Sequence, residues 1–270
     1  MRKLAMEHFE QFLDELHLQD LQNEMHPSVF DENKGYDILI VRLPVVGEKL
    51  EAQSIGFILR EQNSFLYNKE KKTFELLDDI FLGPHQIIDQ ITDSLLKSFE
   101  KYRSTILDIE EQLYENSKIN SFMSDWISLK RDILHMQRIL TRTSEVLSEM
   151  IHSYQERTSF PVNHYMDLHE HMERILNSTT HQLSKLDYLY SFYSAKSNDK
   201  MNRMIYILTI ISAVFLPLNL LVGFFGMNTS GLPFTSTEDM GTLNVVFVMF
   251  ALIILTFITI LIWHKKTQTE

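Results

Sequence analysis

The stretch that decides the fold is Met201–Phe234, MNRMIYILTIISAVFLPLNLLVGFFGMNTSGLPF. From Met204 to Phe225 it carries no charge. As a helix that run is long enough to cross the roughly 30 Å hydrocarbon layer of a bilayer. It closes on Gly226-Met227-Asn228 and a short polar turn, and a second uncharged run follows at Leu243–Trp263. Soluble core helices rarely stay uncharged for so long. Both runs are therefore expected to span a membrane, as two C-terminal transmembrane helices.

Flanking charge sets the expected orientation. Lys196, Lys200 and Arg203 precede the first run, and His264, Lys265 and Lys266 follow the second. The loop between them, 226–242, has no Lys or Arg and carries Glu238 and Asp239. The positive-inside rule puts both termini in the cytoplasm and the loop outside. This predicts a multi-pass protein of the cell inner (cytoplasmic) membrane.

An anchor needs only to be apolar, but the first run has polar residues in register. Asn202, Thr209 and Leu216 are seven apart, as are Ile205, Ser212 and Asn219. The two tracks interleave as the a and d positions of a heptad, the seam that helices present to one another in a bundle. Asn219 lies deep in the run, where an unsatisfied amide is costly. Two spans of one chain cannot shield that seam, whereas a ring of identical helices around a channel can. Ile205, Leu208 and Leu216 would then form an apolar constriction. The tracks continue backward as Asp167, Arg174, His181, Tyr188, Ala195 and as Glu170, Asn177, Ser184, Ser191, Asn198. Nearly all are polar, which suits a wet cytoplasmic funnel.

The rest of the chain is soluble in composition. The net charge of −11 argues against a nucleic-acid partner, since phosphate binding needs a basic patch. With no cysteine, disulfides, thiolate metal sites and cysteine nucleophiles are excluded. No phosphate-binding glycine loop is present, so no nucleotide is expected, nor any enzyme activity or cofactor. The N-terminus lacks the apolar core of a signal peptide. The spacing of Leu4, Phe9, Phe12, Leu13 and Leu16 predicts an amphipathic helix over residues 1–25, ended by His26-Pro27. Four strands are expected at Tyr36–Leu43, Ser54–Arg60, Phe65–Asn68 and Thr73–Leu77. Long helices follow from about His85 to Asn116, with Ile87, Ile91, Leu95, Phe99, Tyr102, Ile106, Ile109 and Leu113 expected inward, from Ser121 to Arg157, with Ile127, Ile133, Leu134, Leu140, Leu147 and Ile151, and from Asn163 with no Pro or Gly until Pro217. The expected organisation is an α+β cytoplasmic domain with long helices. It divides into a small α/β region over 1–83, long cytoplasmic helices over 84–203, a two-helix membrane domain over 204–263 with its outer loop, and a cytoplasmic tail over 264–270.

At Gly226-Met227-Asn228 the chain resembles the CorA superfamily of divalent-cation channels and transporters. The likeness extends through Phe215-Leu216-Pro217-Leu218 and Gly223 to the second run and His264-Lys265-Lys266. The resemblance implies a homopentamer, a CorA-like funnel in which the long third helix lines the pore and the last span packs outside. It implies an outer ring at Gly226, Met227 and Asn228, with Asn228 oxygens holding a hydrated cation and Gly226 allowing close backbone approach. It also implies pore-lining roles for Asn202, Ile205, Leu208, Leu216 and Asn219, to which the heptad tracks add Thr209 and Ser212. The ion carried would be Mg2+ or Zn2+, with Co2+ and Ni2+ as further candidates. The loop Gly231-Leu232-Pro233 has no acidic residue before its proline and is more similar to the ZntB- and CmaX-like branch. Phe225 stands where tyrosine is usual, and Asn219 where magnesium members have a hydroxyl.

His164, Asp167 and His171 lie at steps of three and four on one helical face, a spacing that can bind a divalent ion. The resemblance implies that cytoplasmic acidic residues can sense ions and regulate opening, which adds Glu170 and makes His164, Asp167, Glu170 and His171 a candidate regulatory metal set. Glu110, Glu111 and Glu115 are more simply a solvated acidic face. The competing reading is a two-span, membrane-anchored scaffold or signalling protein without transport.

Overall fold

Two apolar runs, Ile38–Val41 and Ile55–Leu59, lack the polar alternation of a strand with one wet face, and both are buried on either side. The computed structural model describes residues 3–4, 9, 12–47, 50–115, 121–227 and 241–267. The chain divides into two units, Met1–Ser191 and Phe192–Glu270.

Among the described residues the first unit holds one antiparallel sheet. Its strands are β1 (Lys3–Leu4), β2 (Val29–Asn33), β3 (Tyr36–Val46), β4 (Leu50–Arg60), β5 (Asn63–Asn68) and β6 (Thr73–Leu77). They lie in the order β1-β6-β5-β4-β3-β2. Successive strand residues face opposite sides. Ile38, Ile40, Ile58, Phe65, Tyr67 and Phe74 pack with Phe9, Leu13 and Leu21 on one face. Leu39, Val41, Leu43, Phe57 and Leu59 fill the other, where the helices α2 (Leu82–Tyr114) and α3 (Phe122–Tyr154) pack against β3. Burial on both faces explains the unbroken apolar runs.

The expected helix over residues 1–25 is not what forms. Lys3 and Leu4 pair with Glu75 and Phe74 as strand β1, and the helix α1 covers only Glu15–Gln22. Asp14 caps it, its side chain accepting the Leu16 N–H at 2.9 Å. Phe9 stacks on Phe74 with ring centroids 3.9 Å apart, while Leu16 is 66% exposed. Pairing with β6 and burial of Phe9 against the sheet therefore override the helical spacing. The strand β2, VFDEN, is a half-polar edge strand that gave no apolar pattern. It joins β3 through a turn in which Gly35 has φ of 95°, a conformation open to glycine. β3 runs past Pro44 to Val46, because β2 pairs β3 only from Tyr36 to Ile40. The missing N–H of Pro44 thus falls where no strand needs it.

Three long helices follow. On α2, whose first buried residues are Pro84 and His85, Ile88 and Thr92 are buried in place of the expected Ile87 and Ile91, and Leu95 and Phe99 are buried as expected. On α3, Ile133, Leu140 and Leu147 are buried as expected, whereas Ile127 is exposed. α3 is fixed to the sheet by hydroxyls. Thr143 Oγ1 donates to the Arg42 carbonyl at 2.6 Å and lies 2.7 Å from Ser28 Oγ, which accepts the Arg42 N–H. The third, α4 (Val162–Phe225), is a single 64-residue helix that passes through Pro217. Between α3 and α4 sits a knot of buried rings: Phe81, Tyr154, Phe160 and Tyr165.

The Tyr165 hydroxyl donates to the Phe81 carbonyl at 2.8 Å, and the Tyr154 hydroxyl donates to Asp37. Burial raises both phenols above their ordinary 10.0, with the Asp37 bond and charge adding to Tyr154. Above pH 10.0 the unfolded chain loses these protons while the folded one keeps them. Stability is therefore complete below that pH and falls as pH rises. Thermal melts over the alkaline range should show this fall, and in Tyr165→Phe it should be shallower by up to about 1.4 kcal/mol per pH unit.

Candidate functional site

Within the first unit α4 buries one face: Tyr165, Leu168, Met172, Ile175, Thr179, Gln182, Leu186 and Leu189. Polar ties fix that face. Trp126 Nε1 of α3 donates to the Leu186 carbonyl at 2.8 Å, Lys130 Nζ meets Asp187 at 2.6 Å, and Gln137 Nε2 reaches Thr180 Oγ1 at 3.0 Å. Lys185 pairs with Glu110 of α2, so that glutamate is tied down and not merely solvated. With the apolar face held inward, the other face is exposed. Asp167, Glu170, Arg174, Asn177, His181, Ser184, Tyr188 and Ser191 all lie on it.

In the second unit every expected lining residue of α4 is exposed: Asn202, Ile205, Leu208, Thr209, Ser212, Leu216 and Asn219. So are large apolar residues around the helix, Leu216 and Leu220 each at 71%. By length and composition α4 is apolar enough to cross a membrane, and none of its most apolar window is buried. A core helix of a soluble protein would bury that surface. Thr209 Oγ1 turns back to the Ile205 carbonyl at 2.8 Å and so satisfies itself. Among the described residues the Asn202 and Asn219 amides have no hydrogen-bond partner. Pro217, two residues before Asn219, has no N–H to give the helix carbonyl four residues back.

The helix ends as the Gly226 N–H donates to the Val222 carbonyl at 2.8 Å and the Met227 N–H to that of Phe224 at 3.4 Å. Met227 is exposed, and Asn228 lies outside the described residues. The last helix, α5, spans Gly241–Thr267. Its Thr256 and Thr259 hydroxyls donate to carbonyls of their own helix at 2.8–3.0 Å.

Of the expected regulatory set, the structure brings His171 and Asp167 together, with His171 Nε2 3.8 Å from Asp167 Oδ1. His164 instead stands beside His85, whose Nε2 is 3.0 Å from the His164 carbonyl. Glu170 lines a groove with Glu100, Arg103, Arg174 and His181. Two residues that the sequence reading passed over join His171: Asp89 and Asp93 of α2. Their spacing of four repeats that of Asp167 and His171, but which helix faces which is not written in a spacing.

An antiparallel α+β unit followed by one long helix, whose C-terminal part is apolar and exposed, defines a CorA-like fold. The chain belongs to the CorA-like Mg2+ transporter protein family, whose pattern matches residues 5–266. It is 23% identical to YfjQ of Bacillus subtilis over 81% of this chain and 72% of YfjQ. It is 24% identical to the cobalt/magnesium transport protein CorA of Thermotoga maritima over 55% of this chain and 42% of that protein. To the zinc transport protein ZntB of Yersinia enterocolitica it is 24% identical over 67% of this chain and 53% of ZntB. The aligned region thus spans about half of the CorA and ZntB relatives. In three dimensions the chain resembles the CorA magnesium transporter of Methanocaldococcus jannaschii, with a TM-score of 0.74 at 16% identity over 94% of this chain and 84% of that one. It resembles full-length CmaX with a TM-score of 0.64 at 14% identity over 92% and 84%. The Thermotoga maritima and Yersinia enterocolitica relatives are transport proteins by name, for cobalt and magnesium and for zinc.

Proposed function

We propose that this chain conducts divalent metal cations, Mg2+ or Zn2+, across the cytoplasmic membrane through a homopentameric pore lined by α4. Two helices per subunit cross the bilayer: the part of α4 from Met204 to Phe225, and α5. Both termini face the cytoplasm, and the loop over 226–242 faces outside. The observation that carries this reading is the exposed Asn219 amide, without a partner among the described residues, inside the charge-free stretch of α4 from Met204 to Phe225. In hydrocarbon such a group is costly, so its natural surroundings are water, an ion or a neighbouring subunit. Asn202, Ser212 and Asn219 then face the channel, with Ile205, Leu208 and Leu216 narrowing it. Gly226, Met227 and Asn228 form the outer mouth. An amide ring suits an ion that keeps its water shell, because Mg2+ dehydrates reluctantly.

The test is cation entry into proteoliposomes, comparing Mg2+, Zn2+, Co2+ and Ni2+ with and without a pH gradient. Asn228→Ala is expected to reduce flux to that of empty vesicles; native flux in that variant would remove the outer ring from the reading. Zinc flux that needs the gradient would assign the chain to proton-coupled zinc transport. Equal magnesium flux without the gradient would assign a channel. A monomer or dimer in mild detergent, with no flux of any ion, would favour the anchored scaffold instead.

A further inference from the structure

We propose that a groove between β3 and α3 binds the phosphate group of a small soluble ligand, either inorganic phosphate or a phosphomonoester. The groove has a volume of about 330 Å³ and is lined by Arg42 of β3, by His135, Arg138 and Arg142 of α3, and by the apolar Pro27 and Ile139. The chain as a whole carries a net charge of −11, so three guanidiniums and an imidazole around one small space reverse its sign locally. Steps of three and four put His135, Arg138 and Arg142 on one side of α3, and all three are exposed. Arg42 comes to them only because the sheet packs there.

The backbone holds two of the guanidiniums in place. Arg42 Nη1 donates to the Met25 carbonyl, and Arg142 Nε donates to the Ser28 carbonyl at 3.2 Å. The strand beneath Arg42 is itself pinned, since Ser28 Oγ accepts its N–H at 2.8 Å and Thr143 Oγ1 donates to its carbonyl at 2.6 Å. A guanidinium has five N–H donors in a planar fork, and these bonds use only some of them. The remaining donors are positioned before any ligand arrives, which lowers the ordering cost of binding.

Charge balance points to an anion. Arg142 Nη1 meets Glu145 at 3.2 Å and Glu149 at 3.7 Å on its own helix, exposed pairs of the kind that hold weakly. Among the described residues Arg42, His135 and Arg138 have no carboxylate partner. The charge of Arg42 is felt nearby: burial holds the Lys69 ammonium below its ordinary value, and Arg42 pushes it the same way against the pull of Glu24. An anion among these cations relieves their repulsion. Phosphate carries about 1.5–2 negative charges at neutral pH and has oxygens enough for forks on both β3 and α3, whereas a carboxylate has one charge and two oxygens. Pockets for small organic ligands begin at about 300 Å³, so the groove has room for one small molecule. Pro27 and Ile139 offer its organic body an apolar wall.

The site does not depend on the transport reading, and its test reads no flux. Full-length protein in mild detergent, free of divalent cations, is titrated by calorimetry at constant ionic strength with inorganic phosphate, phenyl phosphate and acetate. Inorganic phosphate is expected to give a saturable heat, with acetate bound more weakly. Tighter binding of phenyl phosphate would identify a phosphomonoester as the ligand, and equal or weaker binding the free ion; either upholds the site. The Kd for phosphate should weaken at least about tenfold in Arg138→Gln and in Arg42→Gln. It should be unchanged in Arg174→Gln, an exposed arginine of α4, and in Asn228→Ala, whatever that change does to flux. Circular dichroism confirms folding; if Arg42→Gln, which gives up its bond to the Met25 carbonyl, does not fold, Arg138→Gln decides. No saturable heat from phosphate, acetate bound as tightly, a Kd unchanged in Arg138→Gln, or an equal loss in Arg174→Gln overturns the proposal.

Discussion

Gly226→Val is expected to bring divalent-cation flux in proteoliposomes down to the level of protein-free vesicles. A Cβ at Gly226 would stand 2.8 Å from the Val222 carbonyl oxygen, and that oxygen already accepts the Gly226 N–H at 2.8 Å. Valine adds two methyl groups to the same crowded side and is stiff about its first torsion. The neighbour is backbone, so relief must come from the chain itself. The last hydrogen bond of the helix opens, and the direction in which Met227 and the residues after it leave the helix changes. That exit is where the proposed outer ring sits. Gly223→Ala is the matched control, since a Cβ there would meet nothing within 4 Å beyond its chain neighbours and its own turn of helix backbone. Its flux is expected to stay near native. Native flux in Gly226→Val would show that the geometry of this exit does not matter to passage.

The second large effect is on stability. Phe81→Ala should destabilise the first unit by about 3–5 kcal/mol, the usual range for deleting a fully buried aromatic ring. Phe81 is 2% exposed, and its ring centroid lies 5.0 Å from Phe160 and 5.2 Å from Tyr154. Its carbonyl accepts the Tyr165 hydroxyl. The ring therefore joins the start of α2, the end of α3 and the start of α4, and none of these can close the cavity without moving the others. Thermal unfolding in detergent measures the loss. Leu16→Ala, at a position 66% exposed, should stay within about 0.5 kcal/mol of the native protein. A Phe81→Ala melt equal to the native one would mean the ring knot contributes nothing to holding the helices.

The parts legible in the sequence were those with a strong period or a strong composition. Residues 204–225 announce an apolar helix by lacking charge, and the polar tracks from Asp167 onward follow from the heptad. Pro84 and Phe160-Pro161 mark where α2 and α4 start. Less legible were features set by pairing partners far away in the chain. Lys3–Leu4 is a strand because β6 is there to receive it, and β2 is too polar to announce itself. Ile88 and Thr92 displace Ile87 and Ile91 from the core because the sheet fixes how α2 is rotated. Asp89 and Asp93 matter only once α4 lies opposite them. The spacing could place His171 on the face of Asp167, but it could not say what that face would meet.

The order of strands has a consequence for biosynthesis. From β2 to β6 each strand pairs with its neighbour in sequence, so every ladder closes a short loop. Hairpins form in about 1–10 μs, while a ribosome adds about 5–20 residues per second. The sheet is thus paired long before the apolar part of α4 has been made. The helices that cover it are also encoded ahead of that segment. When the first residues of that apolar stretch emerge, the chain behind them is already a folded body. Under the proposed function, this folding order would keep the first unit on the side where it is made, independently of the flanking lysines and arginines.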